Sequence, residues 1–296
     1  RSITAHHSCV VTKVLGKIHP STAPFDTRKS SEEHIIVSNM RELLEDLTSE
    51  NLQESYNDAS KLKDDGMQAF KLGVLGLEDK AKLETIYWQS LKQIQKQMNE
   101  KNIKLDFFQE INNKLSFKYL CNFSVFQSTP DSWAIEQLLP IMPIHRLHER
   151  PTNNVTIADI TCDSDGKISS FVGPDLNTSL LPMHNLNDNE PYYIGIFLTG
   201  AYQDVMGDMH NLFGRLNEVH VFVDEEDPSD FYIEEVIKGS TSEDVLKTMQ
   251  YSSDLMARTM KFQIDAQMQK GNLTPRKAVK LVDFYEDCLK GYTYLK

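Results

Sequence analysis

The sequence lacks the patterns of a fold stabilised by a structural metal or by disulfides. It also lacks the long apolar runs of a membrane-spanning protein. Its four cysteines, Cys9, Cys121, Cys162 and Cys288, lie far apart and form no C-x-x-C pair, which argues against a zinc site and a disulfide framework. Unpaired cysteines are typical of a reducing compartment, so we expect a cytoplasmic protein. No apolar run reaches the roughly 20 residues that cross a bilayer, so we expect no membrane partner.

The sequence also lacks a glycine-rich nucleotide loop, a serine elbow of the hydrolase type and an excess of positive charge. Its 31 Lys and Arg against 43 Asp and Glu leave a net charge of -12, which argues against a nucleic-acid partner because phosphates select basic surfaces. The 296 residues, 40% hydrophobic and 25% charged, are ordinary for a soluble globular protein of two or three domains. Because the chain opens on Arg1, we expect a piece of a longer protein.

Residues 33–104 predict a bundle of about three amphipathic helices. Apolar residues recur there at helical spacing, and charged residues fill the other faces. The three apolar stripes are Ile36, Met40, Leu43, Leu44 and Leu47, then Leu52, Tyr56, Ala59 and Leu62, then Leu83, Ile86, Tyr87, Leu91, Ile94 and Met98. Such helices bury their stripes against one another, and nothing in this block indicates chemistry.

The rest of the sequence predicts strands followed by helices. Strands are predicted at Cys121–Ser128, Tyr192–Thr199, Glu218–Asp224 and Phe231–Ile237 from alternation or apolar runs. A capping box at Ser240–Glu243 predicts a helix that continues to about Gln269. Thr274 and Pro275 begin a final helix through Leu289.

The stretch 160–167, Ile-Thr-Cys-Asp-Ser-Asp-Gly-Lys, is the strongest candidate site. Apolar runs before it and after it, the second from Ile168 to Val172, predict a strand, a tight loop and a strand. The loop would present Cys162, Asp163 and Asp165 at one end of a sheet. Asp and Gly are ordinary turn residues, so the spacing alone favours a polar hairpin tip without function. The other three cysteines have apolar or aromatic neighbours and are predicted to be core thiols.

Three blocks, taken in order, resemble one family. They are Cys121-Asn-Phe-Ser-Val-Phe-Gln-Ser128, the loop 160–167, and Gly200-Ala-Tyr-Gln203 with the following Gly207-Asp-Met-His-Asn-Leu-Phe-Gly214. They resemble the pyridoxal-phosphate-dependent biosynthetic arginine decarboxylases, which belong with the ornithine and diaminopimelate decarboxylases to the alanine-racemase-like group. The resemblance spans nearly the whole chain.

The resemblance implies a mixed α+β fold and a division into four parts. Residues 1–32 would end a (β/α)8 barrel that binds the cofactor, and residues 33–104 would be an inserted helical bundle. Residues 105–239 would form a carboxyl-terminal β-barrel or sandwich domain that carries the Cys-Asp loop, and residues 240–296 the closing helices.

The resemblance also implies decarboxylation of L-arginine to agmatine and CO2, with roles for five residues. Cys162 matches the cysteine that protonates the carbon that has lost CO2. Asp163 matches the acid that receives the distal cation of the substrate, and Asp165 is assigned to the substrate as well. Tyr202 matches a tyrosine that binds the phosphate of pyridoxal 5'-phosphate, and Arg1 matches the arginine of a Glu-x-Gly-Arg motif that binds the same phosphate.

The remaining implications concern partners and alternatives. The Schiff-base lysine would lie upstream, in the amino-terminal part of the same enzyme, and a homodimer or larger assembly would share active sites. Magnesium is associated with the family. The alternatives are the same fold acting on ornithine, lysine or diaminopimelate, or a non-catalytic regulatory homologue. Phe123 follows Asn122 where the ornithine enzymes carry an acid, which argues against ornithine, and the retained Cys162, Asp163 and Tyr202 argue against a loss of catalysis.

Overall fold

A bundle of helices and a separate mixed sheet form the two cores of the chain. The computed structural model describes residues 6–19, 25–30, 32–103, 107–173, 178–227 and 229–295, so that Arg1 lies outside the described residues. Across these ranges, no helix combines the length and the apolar character that a membrane crossing requires.

The three predicted helices of the bundle are present and pack on one another. They are α1 (Ile35–Glu45), α2 (Leu52–Lys71) and α3 (Leu77–Glu100), and a shorter α4 (Phe108–Leu115) follows. The predicted apolar stripes form their core, in which Met40 and Leu91 are fully buried. Phe107, just before α4, stacks on Tyr56 of α2 with ring centroids 4.8 Å apart, which joins the fourth helix to the bundle.

A seven-stranded mixed sheet forms the second core. Its strands are β1 (Ser8–Ile18), β2 (Phe117–Cys121), β3 (Ile141–Pro143), β4 (Asn153–Ala158), β5 (Lys167–Ile168), β6 (Leu181–Met183) and β7 (Tyr192–Thr199). The order is β3-β7-β1-β2-β4-β5, and β6 pairs with β4. The β2–β4 pair is parallel and the other pairs are antiparallel. The predicted buried strand Tyr192–Thr199 is thus confirmed.

Strand β1 lies in the middle of this sheet. Val14 pairs with Cys121 of β2 on one side and with Tyr192 of β7 on the other. This strand therefore gives its backbone hydrogen bonds to strands from the 105–239 region, and the assignment of residues 1–32 to the end of a barrel stays a prediction. The other predicted domain boundaries stay predictions. The architecture is mixed, with α and β parts, as predicted.

Two short helices follow β2, where a strand was predicted through Ser128. They are α5 (Val125–Ser128) and α6 (Pro130–Ala134). The side chain of Ser124 caps α5 by accepting a hydrogen bond from the Gln127 N–H at 3.3 Å. All four residues of α5 are buried, so their alternation of polar and apolar types does not mark two faces of a strand.

The carboxyl-terminal part begins with α7 (Ala201–Met206) and a 3₁₀ turn at His210–Leu212. Two strands, β8 (Glu218–Val223) and β9 (Phe231–Ile237), then pair with each other as predicted, and exposed residues lie on both of their faces. Three helices close the chain: α8 (Ser242–Thr248), α9 (Ser253–Gln269) and α10 (Pro275–Leu289).

The single helix predicted from Ser240 to Gln269 is wrong, because two helices occupy this range. The capping box is made by Thr241 and Asp244, one residue later than predicted. Helix α8 ends at Thr248, and the Ser252 side chain starts α9 by accepting a hydrogen bond from the Leu255 N–H. The final helix through Leu289 is confirmed.

Candidate functional site

The loop between β4 and β5 is a tight turn closed by its own backbone. Ile157 pairs with Ile168 and Ala158 with Lys167, which confirms the predicted strand, loop and strand, although β5 has only two residues. The Asp159 N–H donates to the Gly166 carbonyl at 2.9 Å, and the Gly166 N–H donates to the Asp163 carbonyl at 3.1 Å. The loop therefore projects residues 160–165 from the end of the sheet.

A buried carboxylate fixes the base of this loop. Asp159 is only 2% exposed. One of its oxygens accepts from the Val125 N–H at 2.8 Å, and the other accepts from the Thr161 N–H at 2.9 Å and the Thr161 hydroxyl at 2.7 Å. A Cβ at Gly166 would overlap this carboxylate and the Thr161 hydroxyl, so the position requires glycine. Asp159 thus ties the loop to α5.

Two neighbouring residues of the 3₁₀ turn contact Cys162 and Asp163. The Asn211 side-chain oxygen accepts from the Cys162 N–H at 3.1 Å and lies 3.6 Å from the Cys162 Sγ. The preceding His210 places its Nε2 3.5 Å from Oδ2 of Asp163. Cys162 is exposed, and the Asp163 side chain is 37% exposed. The Cys162 thiol and the Asp163 carboxylate are therefore accessible to a ligand, and one turn contacts both.

The same turn packs on α5. The Asp208 N–H donates to the Phe126 carbonyl at 3.0 Å, and the His210 ring lies 4.4 Å from the Phe126 ring. Gly207 lies against the backbone oxygen of Gln127, where a side chain would not fit. The three sequence blocks that carried the resemblance therefore converge around one short helix. Sequence reasoning assigned no role to Asp159, His210 or Asn211, although the last two stand in the third block.

Tyr202 lies outside this cluster of contacts, and Asp165 joins it only through its backbone N–H, which donates to Oδ1 of Asp163 at 2.9 Å. Tyr202 lies on α7, which packs on α5 and α6; its side chain is 56% exposed, and its hydroxyl has no hydrogen-bond partner in the described part of the chain. An exposed phenol fits the donor that a phosphate group needs. Its neighbour Gln203 is buried and donates to the Asp131 carboxylate at 2.7 Å, which anchors α7. Asp165 lines a different, shallow groove of about 250 Å³ beside Trp133.

The cysteines divide differently from the prediction. Cys121 is buried as predicted, and burial, with the nearby charge of Asp159, raises the pKa of its thiol above the ordinary value. Cys9 and Cys288 are exposed, so their assignment to the core is wrong. Each lies on an element whose other face is the buried one, which apolar neighbours in sequence do not reveal.

The predicted magnesium would need a cluster of ligands among the described side chains. Within the described ranges, no group of three or more His, Cys, Asp or Glu side chains is arranged to hold a metal ion. Magnesium therefore stays a prediction.

Comparison with known proteins gives one consistent result. The arginine decarboxylase helical bundle domain matches residues 30–112, and the arginine decarboxylase C-terminal helical extension matches residues 243–295. The biosynthetic arginine decarboxylase of Gloeobacter violaceus is 41% identical over 100% of this chain, and that of Phocaeicola vulgatus is 38% identical. The chain spans only 46% of the length of either relative.

A solved structure agrees with these relatives. The crystal structure of the biosynthetic arginine decarboxylase from Campylobacter jejuni matches 99% of this chain with a TM-score of 0.80 and 26% identity, and the chain covers 46% of it. Over its whole length the chain is therefore similar to the carboxyl-terminal part of the biosynthetic arginine decarboxylases.

Proposed function

We propose that this chain is the carboxyl-terminal part of a pyridoxal-phosphate-dependent enzyme that converts L-arginine to agmatine and CO2. The observation that supports the proposal most directly is the convergence of Cys162, Asp163 and the His210–Leu212 turn around α5. A proton donor and an acid suited to a cationic substrate are adjacent in one exposed loop. The retained thiol also favours an active enzyme over a regulatory homologue.

Cys162 supplies the proton in this proposal. The bond between Cα and the carboxylate of arginine breaks, CO2 leaves, and Cα takes up one proton. The cofactor, when bound, supplies the electron sink that makes this cleavage possible. The Cys162 thiol donates its proton to Cα and regains one from solvent, which its exposed position permits. Thiols titrate close enough to neutral pH to donate and recover a proton within one turnover.

Asp163 and Asp165 receive the substrate's cationic end. A guanidinium presents a planar fork of N–H donors, which a carboxylate can meet with two hydrogen bonds. Asp163 Oδ1 already accepts from the Asp165 N–H at 2.9 Å, which orients the carboxylate, and each oxygen keeps a further lone pair for the ligand. Asp165, exposed beside it, adds negative charge on the approach to the site.

The cofactor phosphate is assigned to Tyr202, whose exposed hydroxyl can donate to a phosphate oxygen, and to Arg1. The amino-terminal part of the same protein would supply the barrel and the Schiff-base lysine. We further propose a homodimer or larger assembly with shared sites, a cytoplasmic location and a contribution from magnesium.

The test is agmatine release from L-arginine by the full-length protein with added pyridoxal 5'-phosphate. Cys162→Ala should lower kcat by at least about 100-fold, the usual contribution of a positioned general acid. Cys288→Ala is the matched control, because it removes an exposed thiol from α10. Ornithine, lysine and diaminopimelate are run in parallel. Equal rates in the two variants, or faster turnover of another amino acid, would contradict the proposal.

A further inference from the structure

The Asn211 side chain contacts two atoms of Cys162. The Asn211 Oδ1 accepts from the backbone N–H of Cys162 at 3.1 Å and is 3.6 Å from its Sγ, within reach of a thiol hydrogen bond. Because the backbone N–H can only donate, it requires the oxygen of the carboxamide, and not its nitrogen, on the side that faces the sulfur. The orientation of the amide is therefore set by an atom that cannot titrate.

This orientation selects one form of the thiol. An amide oxygen accepts a hydrogen bond from S–H but repels a thiolate, so it stabilises the protonated form. We propose that Asn211 is a positioning residue, which accepts the S–H hydrogen bond of Cys162 and directs the thiol for proton transfer. The inference rests on the proposed function, since it concerns the proton donor of that reaction.

The backbone at Asn211 fits this role. Its φ of 54° and ψ of 24° lie in the left-handed region, which asparagine adopts more readily than most residues. Asparagine therefore serves the turn and the thiol at once. Asp163 and Asp165 lie in the same loop as the thiol, Asp159 lies at the base of this loop, and His210 lies in the facing turn. Asn211, which is uncharged, contacts the sulfur itself.

The first test measures the thiol without turnover. Full-length protein is treated with iodoacetamide, and the alkylation rates of Cys162 and Cys288 are followed by peptide mass spectrometry. Asn211→Gly permits the left-handed backbone but removes the amide, so Cys162 should react roughly two- to tenfold faster relative to Cys288, the range of one lost hydrogen bond. Asn211→Asp keeps an acceptor and should react no faster than the parent. An unchanged rate in the glycine variant would overturn the inference.

Buried Cys121 reports the fold in the same experiment. It should stay unmodified in every variant; if it reacts in Asn211→Gly, the alkylation is repeated at a lower temperature at which Cys121 stays protected.

The second test is a double-mutant cycle on turnover. Asn211→Gly should lower kcat about threefold or more while the KM for arginine changes less than twofold. In the Cys162→Ala background it should have no further effect, because its target is gone. Additive losses would show that Asn211 acts elsewhere, which overturns the inference. If Cys162→Ala itself retains full turnover, the proposed function fails, whereas the alkylation result still decides whether Asn211 controls the thiol.

Discussion

Replacing Asp159 with asparagine tests whether one buried carboxylate holds the loop. The substitution keeps the shape of the side chain, but its NH2 must replace an oxygen that accepts a hydrogen bond. At the Val125 end, two donors would then face each other and a buried N–H would lose its partner, at a cost of about 1–3 kcal/mol. The two bonds from Thr161 would lose charge assistance, about 1 kcal/mol each. The total is at least about 3 kcal/mol, which corresponds to roughly 100-fold or more additional opening of the loop.

Amide hydrogen exchange measures this opening directly. In the full-length protein, exchange at Val125 and Thr161 should accelerate at least about 100-fold in Asp159→Asn, while helices α1 to α3 stay unchanged. Asp163→Asn is the matched control, since it makes the same chemical change at a partly exposed acid of the same loop. It should alter exchange at these two amides by less than about threefold, the effect of a surface substitution. Equal acceleration in both variants would refute the role given to Asp159.

Two further predictions concern the carboxyl-terminal part. Hydrogen bonds from Thr241 hold the pKa of Asp244 below its ordinary 3.8, so Asp244→Ala should destabilise α8 by about 1 kcal/mol above that pH, and the loss should vanish as pH falls through the lowered pKa. Urea unfolding at several pH values measures this, with Glu243→Ala as control. Residues 1–296 expressed alone should self-associate, because β8 and β9 expose residues such as Phe231 (62%) and Val236 (59%). Sedimentation of a monomer at every concentration would contradict this.

Local patterns predicted the helices α1 to α3 and the candidate loop. The apolar stripes of α1 to α3 repeat within a few residues, so the sequence itself carries their period. The β4–β5 hairpin was predictable for a similar reason, since its strands and its glycine turn are contiguous. The resemblance brought Cys162, Asp163 and Tyr202 forward, which spacing alone did not.

Contacts between distant segments explain what was missed. Helix α5 depends on Asp159, which accepts the Val125 N–H from 34 residues away, so its own alternating residues suggested a strand. The central place of β1 depends on partners in β2 and β7. The contacts of Asn211 with Cys162 require a left-handed backbone and a loop 49 residues away, and neither is visible in a local window.

The turn at His210–Leu212 contacts both of the loop residues proposed for the reaction. His210 faces the acid proposed for substrate recognition, and Asn211 holds the proposed proton donor. A substitution that moves Asp163 to suit a shorter or longer amino acid would also move Cys162, its neighbour in the loop. Because adjacent residues of one turn contact both side chains, we expect a substitution in this turn that alters substrate preference to alter the rate of protonation as well.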